Sequence, residues 1–307
     1  MTLLIVLISM NHNGKAQYIS INGAYFTVSG STNLSADTIN NSNSATLANG
    51  GTLTLNTLTN SATSQGNGTY NIAKGFANTG TFTANSSTVN YTGNSNQNVA
   101  AVTYNNLTLS GTGSTKTAVG NSTVNGTLTI GSADTLDMVT SVIDGTFSTS
   151  GTGLFKTQST SSTPVPSDKT WTGPVYYNAS SAQTVIAGTY VDLNATGGNR
   201  TLDASTIKIS GTFTPGSGTY TTTGSTIEFN GAAQTIPAFA FNSLIVSGGN
   251  TKTLGGNISI VDSLLTAANT TLALSSYDVT LRSTATGVAR IPNTPSSATI
   301  TYGTGRF

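Results

Sequence analysis

The sequence predicts an all-β chain wound as a right-handed parallel β-helix, that is, a β-solenoid, and three observations carry the prediction. First, one unit is written three times. From Ser87 to Met138 the chain reads STVNYTGNSNQNVAAVTYNNLTLSGTGSTKTAVGNSTVNGTLTIGSADTLDM; from Ser225 it reads STIEFNGAAQTIPAFAFNSLIVSGGNTKTLGGNISIVDSLLTAANTTLAL; a weaker copy starts near Val175. Counted from Gln97, Gln183 and Gln234, an aromatic stands seven residues on (Tyr104, Tyr190, Phe241) and a leucine ten on (Leu107, Leu193, Leu244). A basic residue follows 17 to 19 residues after each glutamine: Lys116, Arg200 and Lys252. Second, five segments open with nearly the same letters, Gly51-Thr-Leu-Thr54, Gly80-Thr-Phe-Thr83, Gly126-Thr-Leu-Thr129, Gly145-Thr-Phe-Ser148 and Gly211-Thr-Phe-Thr214. Their glycines are 29, 46, 19 and 66 residues apart, multiples of a coil of roughly 20 to 25 residues. Third, only 7% of the 307 residues are charged, 34 are glycine and one is glutamate, so sustained helical periodicity has little to build on. The repeat distances of 86 and 51 residues between the glutamines leave tandem β-sandwich domains of about 100 residues as the competing architecture.

Residues 1–16 read as a processed export signal. Leu3 to Met10 (LLIVLISM) is an apolar core too short to span a bilayer, and small residues at Gly14 and Ala16 suit cleavage before Gln17. The competing reading is a buried strand of the folded domain. Removal of this segment would take away His12, the only histidine, and Lys15. Residues 17–158 are expected to form the first part of the solenoid, beginning with short alternating runs such as Ile19/Ile21 and Thr52 to Leu55, each bounded by Gly, Asn or Ser. One residue in two points inward on a strand, so Leu53, Phe82, Leu128, Phe147 and Phe213 are expected to stack above one another, each contributing roughly 1.5–3 kcal/mol when buried. Positive φ is expected at the corners Asn49-Gly50, Asn67-Gly68, Asn125-Gly126 and Asn230-Gly231.

Residues 159–174 hold three of the seven prolines and Trp171, the only tryptophan, and read as a loop that leaves the ladder. Residues 175–307 are expected to form the second part of the solenoid. It stops after a strand-like run with no capping segment, which predicts that the chain is part of a longer protein.

Composition limits the chemistry. With no cysteine there are neither disulfides nor thiolate metal sites, and without His12 the Ser-His-Asp and Cys-His arrangements are excluded. Scattered single basic residues and a formal charge of +1 give no footprint for nucleic acid. Carbohydrate-active β-helices need paired carboxylates or a calcium-bound acidic cluster. The densest acidic group, Asp134, Asp137 and Asp144, reads as solvated turn residues, with Asp134 and Asp137 on opposite faces of a strand. No catalytic, cofactor or metal residues are therefore assigned. Lys116, Arg200 and Lys252 read as charged residues beside turns that keep the repeat soluble, or as a row of cations facing an anionic glycan. The repeated aromatics read as core or corner residues. The Thr-x-Thr pairs Thr52/Thr54, Thr81/Thr83, Thr127/Thr129 and Thr212/Thr214 fit an ice-binding face locally, although the spacing between them varies.

The segments YNNLTLSGTGSTKT (104–117), FNSLIVSGGNTKTLGGNISI (241–260) and LRSTATGVARI (281–291) resemble the β-strand repeats of large secreted surface proteins of Bacteroidetes, and the Ala16-Gln17 junction is similar to their signal-cleavage sites. Asp37-Thr38-Ile39, Asp134-Thr135-Leu136 and Asp262-Ser263-Leu264 resemble the O-glycosylation signal of the same proteins. The resemblance implies type IX secretion, although the C-terminal sorting domain of such proteins does not occur here. It further implies a non-enzymatic structural or adhesin-like module, secreted or on the cell surface, without a membrane span in the mature chain and with surface glycans or matrix polysaccharide as partners. A glycan lyase or hydrolase whose site lies outside this chain, and an ice-binding solenoid, are the other expectations.

Overall fold

The structure is a computed structural model that describes residues 5–10, 16–284, 287–292 and 295–307; the expected signal residues 1–4 and 11–15, His12 and Lys15 included, lie outside the described residues. The described chain consists of strands and turns without a helix. It divides into two compact units, Met1–Lys156 and Thr157–Phe307.

In the first unit a nine-stranded sheet runs in chain order from Ile5–Met10 and Ala16–Asn22 through Asn33–Ser42, Thr52–Asn60, Thr69–Asn78, Thr88–Tyr91, Asn106–Leu109 and Thr127–Ile130 to Ser148–Ser150. Between successive members the chain visits smaller sheets, first Tyr25–Val28, Thr46–Asn49, Thr63–Gln65 and Thr81–Thr83, later Thr103–Tyr104, Ser122–Val124 and Ile143–Asp144. Apart from the first pair of the nine-stranded sheet, neighbours in each sheet are thus parallel strands of successive coils. The second unit repeats the scheme, with Gly188–Tyr190, Thr206–Ile209, Thr226–Phe229, Phe239–Val246, Ile258–Thr266 and Val279–Leu281 stacked in parallel. This is the predicted parallel β-solenoid. The tandem sandwich is overturned, because sandwiches are built from antiparallel strands, and among the described residues antiparallel pairing is confined to Ile5–Met10 on Ala16–Asn22 and one bridge, Thr284 to Gly287. The first of these gives the segment that reads as an export signal a backbone partner within the first unit.

Alternation sets the core as the two-residue period requires. In Thr88–Tyr91, Val89 and Tyr91 are buried while Thr88 and Asn90 remain half-exposed. The five Gly-Thr-Leu/Phe segments do not form one stack, however. Leu53 and Leu128 lie in the nine-stranded sheet, whereas Phe82 lies in the four-stranded sheet beside Ser64 and is only half-buried, its ring 5.3 Å from Phe76 and 5.7 Å from Tyr70. Phe213 stands in a third sheet, so the same letters serve three places, because Gly-Thr-apolar-Thr encodes a turn followed by a half-buried strand and nothing about which sheet.

The corners also differ from expectation. None of the four Asn-Gly pairs has positive φ; those conformations fall at other residues, such as Asn43, Asn85 and Gly145. The glycines are needed for proximity instead. A Cβ on Gly68 would stand 2.2 Å from the Gly51 carbonyl oxygen, and one on Gly231 would stand 1.9 Å from that of Ser210, each in the coil before. Asn49 turns inward, donates to Thr69 O at 3.0 Å and accepts from Gly51 N at 3.2 Å. Of the proline-rich stretch, 158–168 forms no strand, but Lys169–Thr170 pairs with Gly188 and Thr189, and Val165 and Trp171 are buried.

Candidate functional site

The recurring glutamines and cations are register partners on successive coils: Gln97 lies beside Lys116, Gln183 beside Arg200, and Gln234 beside Lys252. All six side chains point into the solenoid, and Lys116, Arg200 and Lys252 are at most 1% exposed. This corrects both sequence readings, since neither a solubilising charge nor a row of cations for a glycan can lie inside. Each pair closes on one corner residue. The glutamine Oε1 accepts the N–H of Gly93 (2.9 Å), Ala179 (3.1 Å) or Gly231 (2.7 Å), and its Nε2 donates to a carbonyl of the coil before, Ile72, Thr157 or Ile209. The cation of the next coil then donates to the carbonyl of that same corner residue, Gly93, Ala179 or Gly231.

Burying an unpaired charge costs several kcal/mol, and carbonyl dipoles offset it here. Lys116 directs its donors at Gly93 O, Ser95 O and Ser114 Oγ. Arg200 reaches Tyr177 O and Ala179 O at 2.9 Å, Asn199 O at 3.0 Å, Ser181 O at 3.2 Å and also Thr196 O. Lys252 reaches Gly249 O at 2.6 Å and Gly231 O at 2.8 Å. Desolvation still lowers the pKa of all three below their ordinary values; the Asp134 carboxylate pulls Lys116 the other way, as Tyr220 does Arg200.

The repeated aromatics complete the corners. In the first copy Tyr91 and Tyr104 place their hydroxyls 3.0 Å apart; Tyr91 Oη accepts Ala100 N–H at 2.9 Å and Tyr104 Oη donates to Ala100 O at 2.6 Å. Tyr177, Tyr190 and Ile186 repeat the arrangement. In the third copy the rings are Phe229 and Phe241, with centroids 6.3 Å apart, and the residue equivalent to Ala100 and Ile186 is Pro237. Proline has no N–H, so no hydroxyl is required to accept one.

A second buried polar feature escaped the sequence reading. Asn41, Asn60 and Asn78 are register partners, with Nδ2 of Asn41 donating to Asn60 Oδ1 and Nδ2 of Asn60 to Asn78 Oδ1, both at 2.7 Å. The signal available to sequence was an Asn at the end of three consecutive runs ending Ile-Asn-Asn41, Thr-Asn60 and Ala-Asn78.

The acidic group separates. Asp134 is 1% exposed and accepts from Ser114 N and Oγ, which corrects its reading as a solvated residue. Asp137 pairs with Lys156 at 2.9 Å, and Asp144 caps Gly145 N at 2.7 Å. Among the described residues no group of three or more His, Asp or Glu is placed to hold a metal, and no helix is long and apolar enough to cross a membrane. Shallow surface depressions of about 280, 320 and 190 Å³ are lined around Phe82 and Asn125, around Lys74 and Asn98, and around Tyr176 and Asp192.

The outer face of the nine-stranded sheet is the most regular surface. Thr52, Thr69, Thr88, Asn106 and Thr127 follow one another on neighbouring strands, and two residues further along the same strands come Thr54, Asn71, Asn90, Thr108 and Thr129. Asn33 and Ser35 extend the two columns at one end, Ser148 and Ser150 at the other. All these positions are half-exposed or exposed and none is charged. Comparisons with known protein families, with curated proteins and with solved structures found no match for this chain.

Proposed function

We propose that the chain is a non-enzymatic structural or adhesin-like β-solenoid module of a secreted or cell-surface protein, with glycans or matrix polysaccharide as its partners. The observation that carries this reading is that the recurring residues, Gln97 with Lys116 and its two counterparts, are spent on backbone groups inside the coil. What repeats therefore serves the stacking of coils, and the outer surface is left polar and low in charge. Such a surface suits weak contacts summed over many coils. The likeness of residues 104–117 and 241–260 to repeats of Bacteroidetes surface proteins supports the same location and, with it, cleavage before Gln17.

The test is immunolabelling of intact cells of the source strain with antibody to the purified chain, alongside attachment assays on a strain lacking the coding segment. Labelling of unpermeabilised cells, an N-terminus at Gln17 and weakened attachment are expected. Signal seen only after permeabilisation would defeat the reading.

A further inference from the structure

We infer that the two-column outer face of the nine-stranded sheet in the first unit is an ice-binding surface. The face is regular. Register partners along each column are about 4.7–4.9 Å apart, and the columns are separated by two residues of rise, about 6.6 Å. The varying coil length does not disturb this grid. Thr52 pairs with Thr69, 17 residues on, and Thr127 with Ser148, 21 residues on, yet both pairs stand in the same column, because the surplus residues are taken up at the corners. Of the four Thr-x-Thr pairs, Thr52/Thr54 and Thr127/Thr129 stand on this face, whereas Thr81–Thr83 and Phe213–Thr214 belong to other sheets, which accounts for much of their uneven spacing in the sequence.

The chemistry of the face selects its occupant. No ionic group stands in either column, which matches an uncharged lattice and offers nothing to an anionic polysaccharide. No aromatic ring stands there either, so sugar rings lack a stacking platform. What remains is hydroxyls, amides and threonine methyls. Threonine is stiff at χ1, and several of the others are held by neighbours: Asn90 Nδ2 donates to Asn71 Oδ1 at 3.0 Å, Asn106 Nδ2 to Thr88 Oγ1 at 3.3 Å, and Thr127 and Ser148 hydroxyls lie 3.3 Å apart. Such a pre-ordered array loses little entropy on fixing a layer of water, and contacts repeated over seven strands release only together. The second unit gives the contrast. Its main sheet keeps one small polar column, Thr206, Thr226, Ser243 and Ser263, but the column two residues along is Lys208, Glu228, Ile245 and Leu265, a charged pair and two aliphatics that break the polar grid.

The test uses the whole chain in an ice-recrystallisation and crystal-shaping assay. Thr88→Lys with Thr108→Lys puts two charges on the face; Thr103→Lys with Thr123→Lys puts the same charges outward on the three-stranded sheet. Recrystallisation should be arrested by the parent chain and the second variant, with the first needing about tenfold more protein as the multipoint contact is broken. Ice growth equal to buffer, equal loss in both variants, binding to suspended cellulose that only the first variant loses while ice is unaffected, or a solution dimer that only the first variant dissociates would each overturn the inference. The strand signal in circular dichroism confirms that both variants are folded. The outcome does not depend on where the protein is displayed.

Discussion

The carboxamide of Gln183 and the guanidinium of Arg200, register partners on successive coils, hold opposite ends of one residue: Gln183 Oε1 accepts the Ala179 N–H at 3.1 Å, and Arg200 Nη2 donates to the Ala179 carbonyl at 2.9 Å. A corner is where a coil leaves its ladder: the Ala179 N–H would otherwise be buried without a partner, while its carbonyl also accepts from Gly198 N at 2.9 Å. One coil satisfies the donor and the next adds a second bond to the acceptor, so the side chains reinforce the backbone bond that links the two coils there.

That shared target predicts coupling. Gln183→Leu and Arg200→Met should each destabilise the protein by about 2–4 kcal/mol, since each leaves buried carbonyls or an N–H unpaired. Denaturant unfolding of the single and double variants should show an interaction term of about 0.5–3 kcal/mol, and strict additivity would mean that the two act separately.

The third copy supplies a complementary test. Pro237→Ala adds an N–H beside Phe229, which has no hydroxyl to accept it, and should lower stability by about 1–3 kcal/mol. Part of that loss comes from greater freedom of the unfolded chain. Adding Phe229→Tyr should recover the remainder in the Pro237→Ala background but not in the parent chain. Tyrosine that helps neither background, or both alike, would contradict the pairing of hydroxyl with N–H seen at Tyr91 and Ala100.

The architecture was legible because it rests on periods. Val89 and Tyr91 alternate with Thr88 and Asn90, and the copies recur at the same offsets, which is enough for a stacked coil. The interior polar chemistry was not legible by residue type. A lysine between two threonines reads as an outward charge, yet Lys116 shares its parity with buried Ser114 and Ala118 and stands in register with Gln97 and Leu136. Parity and the recurrence of Gln with a cation one coil later were the available signals. The even face of the nine-stranded sheet was hidden for another reason: sequence distance counts corner residues, whereas the face depends on register alone.

The asparagine ladder predicts a local sensitivity in the first unit. Asn60 donates to Asn78 Oδ1 and to Thr81 O and accepts from Asn41 and Ser64, all within the coil interior. Asn60→Leu, with the same branching but a larger side chain, should cost about 2–4 kcal/mol because those partners lose their bonds. Asn40→Leu, one residue from the ladder and half-exposed, should change the unfolding midpoint little. Equal effects would show that the ladder adds nothing beyond its volume.

Alkali should separate the buried phenols from the buried amines by sign. Burial raises the pKa of Tyr91 and Tyr177 from 10.0 to about 12, and it also raises Tyr104 and Tyr190. Above pH 10 the unfolded chain therefore releases protons that the folded chain keeps, so stability falls as pH rises. Lys116 and Lys252 act oppositely: their folded pKa lies below 10.5, so between that lowered value and 10.5 the unfolded chain binds more protons and stability rises with pH. Thermal melts across this range should hold or gain stability up to about pH 10 and lose it steeply beyond, with phenolate absorbance appearing together with unfolding. The Tyr177→Phe, Tyr190→Phe double variant starts from lower stability and should fall less steeply above pH 10. A slope unchanged by those two substitutions would place the alkaline transition elsewhere.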